Sequence, residues 1–425
     1  MRVGIKTLGC KVNQAESDLL CTAFVKGNIE IVDFDEVADC YIVNSCAVTE
    51  EAERKTRQYI RRALRKNPGA TVLLVGCCAK TWQGKDLSFP EKRVVVISSD
   101  PKEEAVCRFI EKTWGISLSL PPFPLPPRAR AWVKIEDGCD HFCSFCLVPH
   151  LRRGVRSKDP LLILEEVLYL EDQGVGEIVL CGTNLGYFGR DLSSTTLIDL
   201  LELLVEKTRN VRFRLSSLEP YLVSENFLFR YFALGDRVCP HLHLPLQSGS
   251  DRILKKMQRG YSVEYYEDLV GKARRFLPHT AITTDVIVGF PGETEREFLE
   301  TVLRCERIAF SRMHIFAFSP RPGTPAFAWE REEGVPKGEK QKRVRHLLEV
   351  AGVLAERYHR LFLGGRLRVL VEFLENGVGV GHSENYILVR VKGVGEDSVG
   401  RIVPVVVERA DRFGLEGRID DAERI

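Results

Sequence analysis

Short apolar runs alternate with polar, helix-forming segments along the first 117 residues. The apolar runs are RVGIKTL, CYIVNSC and TVLLVGCC, and each ends in a turn that carries a cysteine. Between the second and third runs, EEAERKTRQYIRRALRKN predicts a helix with Thr49 as its N-cap, acidic residues in its first turn and basic residues in its last. This alternation predicts a small parallel-sheet α/β domain over residues 1–117, whose ligands gather where the strands end.

The pattern then changes at a proline-rich stretch. Residues 118–128 are typical of a semi-rigid linker. Residues 129–362 return to strand–helix alternation, with six candidate strands: WVKIE, EIVLCG, VRFRLSS, HLHLPL, ITTDVIVGF and MHIFAFS. Six such units are too few for a closed eight-stranded barrel. They predict an open, partial (βα)6 barrel with its active site at the carboxyl ends of the strands.

The C-terminal part, residues 363–425, has a third pattern. Its apolar segments RLRVLVEFL, YILVRVKGV and GRIVPVVVERA alternate in character and are separated by turns that contain glycine. This pattern predicts a small antiparallel β-barrel. The three segments together predict an α/β protein of three domains.

Composition narrows the class of protein. The 425 residues are 44% hydrophobic and 28% charged, which is typical of a globular chain, and the net charge of +2 leaves any nucleic-acid binding to local clusters. No apolar run approaches the roughly 20 residues of a membrane span, and the N-terminus lacks an apolar signal core. We therefore expect a cytoplasmic protein without a membrane partner. In that compartment its 13 cysteines point to metal binding or catalysis more than to disulfides.

The clearest cysteine motif is GCDHFCSFC, directly after the first barrel strand. Its ligands Cys139, Cys143 and Cys146 are spaced C-x3-C-x2-C. Three thiolates on one loop can hold three irons of a 4Fe–4S cluster and leave the fourth iron open to a small molecule. A zinc site with His141 as fourth ligand is the main alternative, although zinc sites usually pair two separated knuckles. A redox pair of Cys143 and Cys146 is less favoured, because Cys139 would have no role in it.

A second set of cysteines is widely spaced. Cys10, Cys46 and Cys77 each follow a predicted strand of the first domain. Any one of them alone would be read as a buried structural residue, but their shared position predicts a second three-thiolate site with one open iron. Cys78 adjoins Cys77, and the spacing does not choose between them. The other cysteines are interpreted as apolar core residues, of which Cys181 could touch the site from a strand end.

These residues resemble a known family, the tRNA methylthiotransferases of the radical S-adenosylmethionine superfamily. The likeness runs through TLGCKVNQAES, YIVNSCAVTEEAERKTRQ, LLVGCCAK, DGCDHFCSFCLVPH, RLSSLEP, HLHLPLQSGS, TTDVIVGFPGET and FSPRPGTPA, and the C-terminal barrel resembles an RNA-binding TRAM domain. The resemblance implies two 4Fe–4S clusters, S-adenosylmethionine, a tRNA substrate and an electron donor such as a flavodoxin or ferredoxin, with no DNA partner. It also assigns the third auxiliary ligand to Cys77, which follows Gly76.

Within this family, LGCKVNQ followed by Glu16 and Ser17, together with GVGHSENYILVRV, resembles the branch that acts on threonylcarbamoyladenosine. The implied reaction adds a methylthio group to carbon 2 of that nucleoside at position 37, beside the anticodon. Carbon 2 carries an unactivated C–H bond, which suits radical chemistry from a cofactor. Two departures, Ala15 and Asn184, concern fine substrate contacts. The alternatives are an isopentenyladenosine-tRNA or a ribosomal-protein aspartate as target and, from another class, a non-catalytic iron–sulfur RNA-binding protein.

Further site residues are predicted at the strand ends, where polar groups also occur without a ligand. Gly289 would allow close backbone approach of the cofactor, and the strand around Val286 would flank its adenine, unless VIVGFPGE is a plain βα turn. The predicted cofactor contacts are Phe145, Thr183, Asn184, Ser216, Gln247, Val286 and Gly289. The predicted RNA contacts are Arg152, Arg153 and Arg156, with the helix-end bases Arg61, Arg62, Arg65 and Lys66 as a second cluster, although such runs are usually only solvated faces.

Overall fold

The structure is a computed structural model that describes residues 1–84, 89, 93–125, 129–193 and 195–420. Residues 126–128 of the predicted linker and 421–425 of the predicted C-terminal domain lie outside the described residues. Within the described part, no helix is long and apolar enough to cross a membrane.

The N-terminal part is a five-stranded parallel sheet in the order β2-β1-β3-β4-β5. Its elements are β1 (Arg2–Thr7), α1 (Lys11–Lys26), β2 (Glu30–Val32), β3 (Cys40–Ser45), α2 (Glu50–Lys66), β4 (Thr71–Gly76), α3 (Cys77–Trp82), β5 (Val94–Val96) and α4 (Lys102–Trp114). Thr49 caps α2 by accepting a hydrogen bond from the Ala52 N–H, as predicted. The two edge strands, three residues each, were too short to be predicted.

The central part contains the six predicted parallel strands. Its elements are β6 (Arg130–Lys134), β7 (Glu136–Asp137), α5 (Val148–Leu151), β8 (Arg156–Ser157), α6 (Pro160–Asp172), β9 (Glu177–Cys181), α7 (Leu197–Lys207), β10 (Arg212–Leu215), α8 (Glu225–Ala233), β11 (His241–His243), α9 (Asp251–Lys256), α10 (Val263–Phe276), β12 (Ala281–Val288), α11 (Glu295–Ile308), β13 (Arg312–Ala317), α12 (Pro325–Glu333) and α13 (Lys337–His359). Sheets β10-β9-β6 and β11-β12-β13 are joined by a parallel bridge between Ser217 and His243. The partial barrel is confirmed.

The N-terminal part closes one open edge of this barrel. Arg130, Trp132 and Lys134 alternate along β6 with residues of the main core, so they face the barrel interior. Helix α1 packs on that face, where Val12 and Ala15 join Trp132 and the fully buried Cys181 in one apolar cluster. Cys181 therefore belongs to the contact between the two parts of the chain.

The C-terminal part is a closed five-stranded barrel, consistent with the predicted TRAM-like domain. Its strands are β14 (Arg366–Glu375), β15 (Val378–Ser383), β16 (Leu388–Lys392), β17 (Ile402–Ala410) and β18 (Leu415–Ile419), in the order β14-β15-β16-β18-β17. One pair, β16 with β18, is parallel, whereas we expected an antiparallel barrel throughout. Strand β15 was not predicted because it contains two glycines, and glycine has a weak strand preference.

The C-terminal barrel docks at the amino ends of the central strands. Arg130, Arg212 and Arg214 all pair there with the fully buried Glu177. Arg214 also donates to the carbonyl oxygens of residue 383, at the end of β15, and residue 384, in the β15–β16 loop. The opposite, carboxyl end of the central barrel stays available for the site.

Candidate functional site

The loop after β7 carries Cys139, Cys143 and Cys146 at the carboxyl ends of the barrel strands. Gly138 starts this loop with φ +107°, and a Cβ on it would lie 1.8 Å from the carbonyl oxygen of Gly154. Only glycine fits so strained and close an approach. The loop is therefore held tightly at its base, where Cys139 N–H donates to the Arg152 carbonyl at 3.3 Å.

Each of the three sulfurs accepts a hydrogen bond. Backbone N–H groups donate to the sulfurs of Cys139 and Cys146, both at 3.4 Å. The guanidinium of Arg259 donates to Cys143 Sγ at 3.1 Å and is itself paired with Glu219. Donors aimed at sulfur suit a thiolate that holds an iron–sulfur cluster, since such bonds also tune the cluster's potential.

The spacing of these sulfurs bears on the zinc alternative. Among the described residues, the three sulfurs and His141 do not come within 4.8 Å of one another as a set. Tetrahedral zinc, with ligand bonds of about 2.0–2.3 Å, needs a closer set of ligand atoms. Burial raises the pKa of Cys143 to about 11 and that of Cys146 to about 12, and a bound cation would favour their thiolate forms.

The auxiliary cysteines are brought together by two glycine turns. Gly9 has φ +101°, and a Cβ there would lie 2.7 Å from the Cβ of Cys46, so the turn that carries Cys10 packs directly on Cys46. Gly76 has φ +84°, and a Cβ there would lie 2.5 Å from the Ser45 carbonyl oxygen. This close approach sets Cys77 beside Cys46. All three cysteines are unpaired thiols at the carboxyl edge of the parallel sheet.

A buried polar network lies beneath this edge. Asn13 Nδ2 donates to the carbonyl oxygens of residues 8 and 45, which fixes the turn before Cys10 against β3. Lys102 bonds Asn44 Oδ1 at 2.9 Å and pairs with Glu16 at 2.5 Å. Burial acts to raise the pKa of Glu16, but Lys102, Lys134 and Arg152 outweigh it and hold that pKa well below its usual range.

Arg152 ties the two cysteine loops together. Its carbonyl accepts from Cys139, as noted, while its guanidinium bonds Asn13 Oδ1 at 3.0 Å and both carboxylate oxygens of Glu16 at 3.1 and 3.2 Å. Asn13 and Glu16 lie on the first turns of α1, directly after Cys10. One buried residue thus connects both loops.

Comparison with known proteins identifies the family of this chain. The Radical SAM superfamily matches residues 133–305, and Uncharacterized protein family UPF0004 matches residues 2–97. The chain is 36% identical to the threonylcarbamoyladenosine tRNA methylthiotransferase of Bacillus subtilis, over 98% of this chain and 96% of that protein. It is 33% identical to the tRNA-2-methylthio-N(6)-dimethylallyladenosine synthase of Clostridium botulinum, over 97% and 96%. The chain belongs to the radical S-adenosylmethionine methylthiotransferase family.

Solved structures agree on the fold. The radical S-adenosylmethionine methyltransferase TsrM from Kitasatospora setae, solved with cobalamin and a [4Fe-4S] cluster, superposes with a TM-score of 0.54 over 77% of each chain at 15% identity. Family membership implies that the cysteine loop of the barrel serves an iron–sulfur cluster and S-adenosylmethionine.

Buried polar atoms at the strand ends fit such a cofactor. The residues that follow β9, β10 and β11 include Asn184, Ser216 and Gln247. Their side-chain oxygens have no hydrogen-bond partner among the described residues. Unpaired buried acceptors and hydroxyls are costly unless a ligand satisfies them. Gln247 also has φ +65°, a strained backbone typical of functional positions. These three predicted contacts therefore remain good candidates.

A cavity of about 180 Å³ opens beside Gln247. Its walls include Phe145, Cys146 and Gln247 from the barrel, and Val48 and Thr49 from the N-terminal part. Phe145 is thus placed at the cavity, as its predicted role requires. Thr183 is not among the described residues that line this cavity, and its hydroxyl donates to Asp137 at 3.2 Å.

Two predicted cofactor contacts, Val286 and Gly289, pack against other parts of the protein. The side chain of Val286 is fully buried in the core on the helical side of β12, and Ile287, its neighbour on the other face, lines the cavity instead. The space beside Gly289 is filled by Lys340, since a Cβ on Gly289 would lie 2.4 Å from Lys340 Cγ. The close approach at Gly289 therefore serves packing against α13.

Only some of the predicted RNA contacts are exposed. Arg152 is buried and fully engaged within the protein, so its assignment to RNA is corrected to the structural role given above. Arg153 and Arg156 are exposed beside the cysteine loop and stay candidates. The second predicted cluster lies at the C-terminal end of α2, away from the auxiliary cysteines, because α2 runs back along the sheet. Its C-cap, Asn67, bonds the carbonyl of Ala38 before β3, at the edge opposite the cysteines.

Some site residues were not predicted. Arg259 lies in the segment KKMQRGY and Glu136 precedes the cysteine loop, but nothing in the local pattern showed that they face the site. Burial raises the pKa of Glu136 to about 8, and its Oε1 has no partner among the described residues. Lys102 lies on α4, far along the chain from the cysteines that it supports.

Proposed function

We propose that this enzyme adds a methylthio group to carbon 2 of N6-threonylcarbamoyladenosine at position 37 of tRNA. One observation carries the proposal: a single cavity is lined both by Cys146 of the barrel loop and by Val48 and Thr49, which lie two and three residues after auxiliary Cys46. A nucleobase in that cavity would lie between the two cysteine sites. When bound, the clusters and S-adenosylmethionine supply the radical, the sulfur and the methyl group.

The protein's own residues would bind and orient these groups. Cys139, Cys143 and Cys146 would hold the first cluster, and Cys10, Cys46 and Cys77 the auxiliary cluster. The unpaired polar atoms of Asn184, Ser216 and Gln247 would bind the amino-acid end of S-adenosylmethionine. Phe145, Ile287 and Phe316 give the cavity apolar walls that limit the entry of water.

The substrate assignment is supported by the relatives. Those named for threonylcarbamoyladenosine are 35–37% identical to this chain, and those named for dimethylallyladenosine are 32–33% identical. Arg153 and Arg156 beside the loop are placed to contact phosphates. An electron donor such as a flavodoxin or ferredoxin would approach the same loop, where the Phe142 side chain is 55% exposed.

The test offers the reconstituted enzyme three substrates in parallel. These are tRNA bearing threonylcarbamoyladenosine, tRNA bearing isopentenyladenosine, and a ribosomal protein with the target aspartate, each under anaerobic reduction with S-adenosylmethionine. Mass spectrometry of the digested products should find the methylthio group only on threonylcarbamoyladenosine. Modification of another substrate instead, or S-adenosylmethionine cleavage with no modified product, would contradict the proposal.

A further inference from the structure

His243, Asp285 and His314 form a cluster that neither cysteine site uses. They lie on the adjacent strands β11, β12 and β13, where Asp285 and His314 are register partners and His243 pairs with Thr283. Side chains alternate along a strand, and the intervening Leu242, Val286 and Met313 pack into the helical-side core. The cluster therefore faces the barrel interior.

The three side chains converge on one point. His314 Nδ1 lies 3.1 Å from Asp285 Oδ1, and His243 Nε2 lies 3.4 Å from Asp285 Oδ2. One ligand atom from each residue falls within 4.8 Å of the others, and within the described chain no other group of three or more His, Cys, Asp or Glu side chains does so. Two imidazoles and a carboxylate are typical ligands of zinc and related ions, with bonds of about 2.0–2.2 Å.

A second layer of hydrogen bonds orients one of these histidines. Thr283 Oγ1 lies 2.9 Å from His243 Nδ1 and 2.9 Å from His241 Nε2. This hydroxyl engages Nδ1 of His243 and leaves its Nε2 directed at Asp285. Metal-binding histidines are usually fixed in this way through the nitrogen that does not bind the metal.

Asp285 differs from several interior carboxylates because it has no lysine or arginine partner among the described residues. Glu16, Glu177 and Glu219 each pair with at least one lysine or arginine. Among the described residues, Asp285 has only the two imidazoles as ion partners. A partly buried carboxylate whose ion partners are two imidazoles is a favourable place for a metal ion.

From this geometry we propose that His243, Asp285 and His314 bind one divalent transition-metal ion, represented by zinc. Asp285 lines the cavity that also contains Cys146 and Gln247, so coordination positions not taken by protein would open towards the substrate. The threonylcarbamoyl group carries a carboxylate and a hydroxyl, both oxygen donors suited to such an ion. The inference that the metal binds the carboxylate of the threonylcarbamoyl group rests on the proposed function.

Metal binding is tested first without any tRNA. Tag-free enzyme with both clusters loaded is dialysed anaerobically against limiting zinc, and zinc and iron are measured in the same sample. We expect one zinc per chain in addition to the cluster iron. No zinc above the dialysis buffer would overturn the proposal.

Variants locate the ion. His243→Ala and His314→Gln should lose the bound zinc while keeping the cluster iron, and His314, with a side chain 42% exposed, can be replaced with little risk to folding. Thr283→Val should weaken zinc binding about 10- to 100-fold. His346→Ala, an exposed histidine on α13, is the matched control and should bind zinc as the wild type does. Equal zinc in the wild type and in both ligand variants would refute the site.

The substrate part is tested with the free nucleoside. N6-threonylcarbamoyladenosine should bind the zinc-loaded enzyme at least tenfold more tightly than the zinc-free enzyme, whereas isopentenyladenosine should bind both equally. Equal affinity of the threonylcarbamoyl nucleoside for both forms would overturn this part alone. The zinc count does not depend on which tRNA is modified, so failure of the proposed function and failure of the metal site give different results.

Discussion

Cys77 and Cys78 are adjacent in the chain but have different surroundings. Cys78 is fully buried, its thiol donates to the Cys46 carbonyl at 2.9 Å, and it contacts Thr56 Oγ1 at 3.8 Å. Cys77 lines a small cleft together with Arg152 and Lys102. Gly76, with its positive φ, produces this division, because it turns the chain so that the first cysteine of α3 faces the cleft and the second faces the core.

We expect Cys77→Ala to lose the auxiliary cluster and Cys78→Ala to keep it. The first change removes a thiolate ligand, whereas the second removes only a buried hydrogen bond worth about 1 kcal/mol. Iron per chain after anaerobic reconstitution, compared with about eight for two clusters of four, measures the result. If Cys78→Ala were the variant that lost iron, the ligand assignment would be shifted by one residue.

Glu136 gives a pH-dependent prediction. Burial raises its pKa from the ordinary 4.5 to about 8 in the folded protein. Between these values the folded protein keeps a proton that the unfolded chain has released, so stability falls as pH rises through this window. Glu136→Gln, which cannot ionise, removes this contribution. Relative to the variant, the wild type should lose a few kcal/mol of unfolding free energy between about pH 5 and about pH 8.

Urea unfolding of both proteins across that pH range measures the difference. Taking the wild type minus the variant cancels the pH dependence of the other groups, including Glu16. Parallel curves for the two proteins would show that Glu136 is ionised throughout, and the role given to its burial would then be wrong.

At the scale of elements, strand alternation and turn residues predicted most of the architecture. The six barrel strands, the capped helix α2 and the cysteines at strand ends all follow from local patterns. Contacts between distant segments do not follow from local patterns. Lys340 fills the space at Gly289 from a helix about 50 residues later, and which face of β12 lines the cavity depends on a one-residue register.

The position of the β15–β16 loop also could not be predicted from local patterns. Its HSENY segment was informative as a family resemblance, and the structure places it at the amino ends of the barrel strands. Tyr386, with φ +64°, stacks there on His382, contacts the His241 ring in a tilted arrangement and lies 4.7 Å beneath the Arg214 guanidinium. The loop is therefore a docking element between the two barrels, away from the cysteine loop.

Tyr386→Ala should destabilise the protein by about 2–3 kcal/mol, because it removes aromatic packing and a cation–π contact at a partly buried site. Cluster iron should be unchanged, since the loop lies at the opposite end of the strands. Phe413→Ala is the matched control, because that ring is 70% exposed on the same C-terminal barrel and should cost under about 0.5 kcal/mol. The midpoints of urea unfolding compare the two variants. Equal effects would mean that the loop does not anchor the C-terminal barrel.

At the scale of the whole molecule, the two cysteine sites belong to different parts of the chain but share one edge. Helix α1 packs on β6, the start of α2 contacts the segment after β13 through Ser319 and Arg321, and Arg152 joins the loops. The N-terminal part thus spans the opening of the partial barrel. Neither site depends on the other for its own ligands, and this separation allows the two functions to be tested apart.

We expect a Cys10/Cys46/Cys77→Ala triple variant to cleave S-adenosylmethionine but to produce no methylthiolated nucleoside. The barrel loop, its sulfur hydrogen bonds and the strand-end polar atoms are all intact in this variant, so deoxyadenosine should still form after chemical reduction. Sulfur insertion should fail because its site has lost every ligand. Chromatography of deoxyadenosine and mass spectrometry of tRNA nucleosides measure the two outcomes in the same reaction.

The Cys78→Ala variant is the control for changes in the same turn, and it should support both reactions. Circular dichroism and cluster iron, expected to fall to about four per chain, establish that the triple variant is folded. Normal methylthiolation by the triple variant would make the N-terminal cysteines structural. Loss of S-adenosylmethionine cleavage in the folded variant would show that the contact through Arg152, Asn13 and Glu16 makes the barrel loop depend on an intact auxiliary site, and the two sites would then act as one unit.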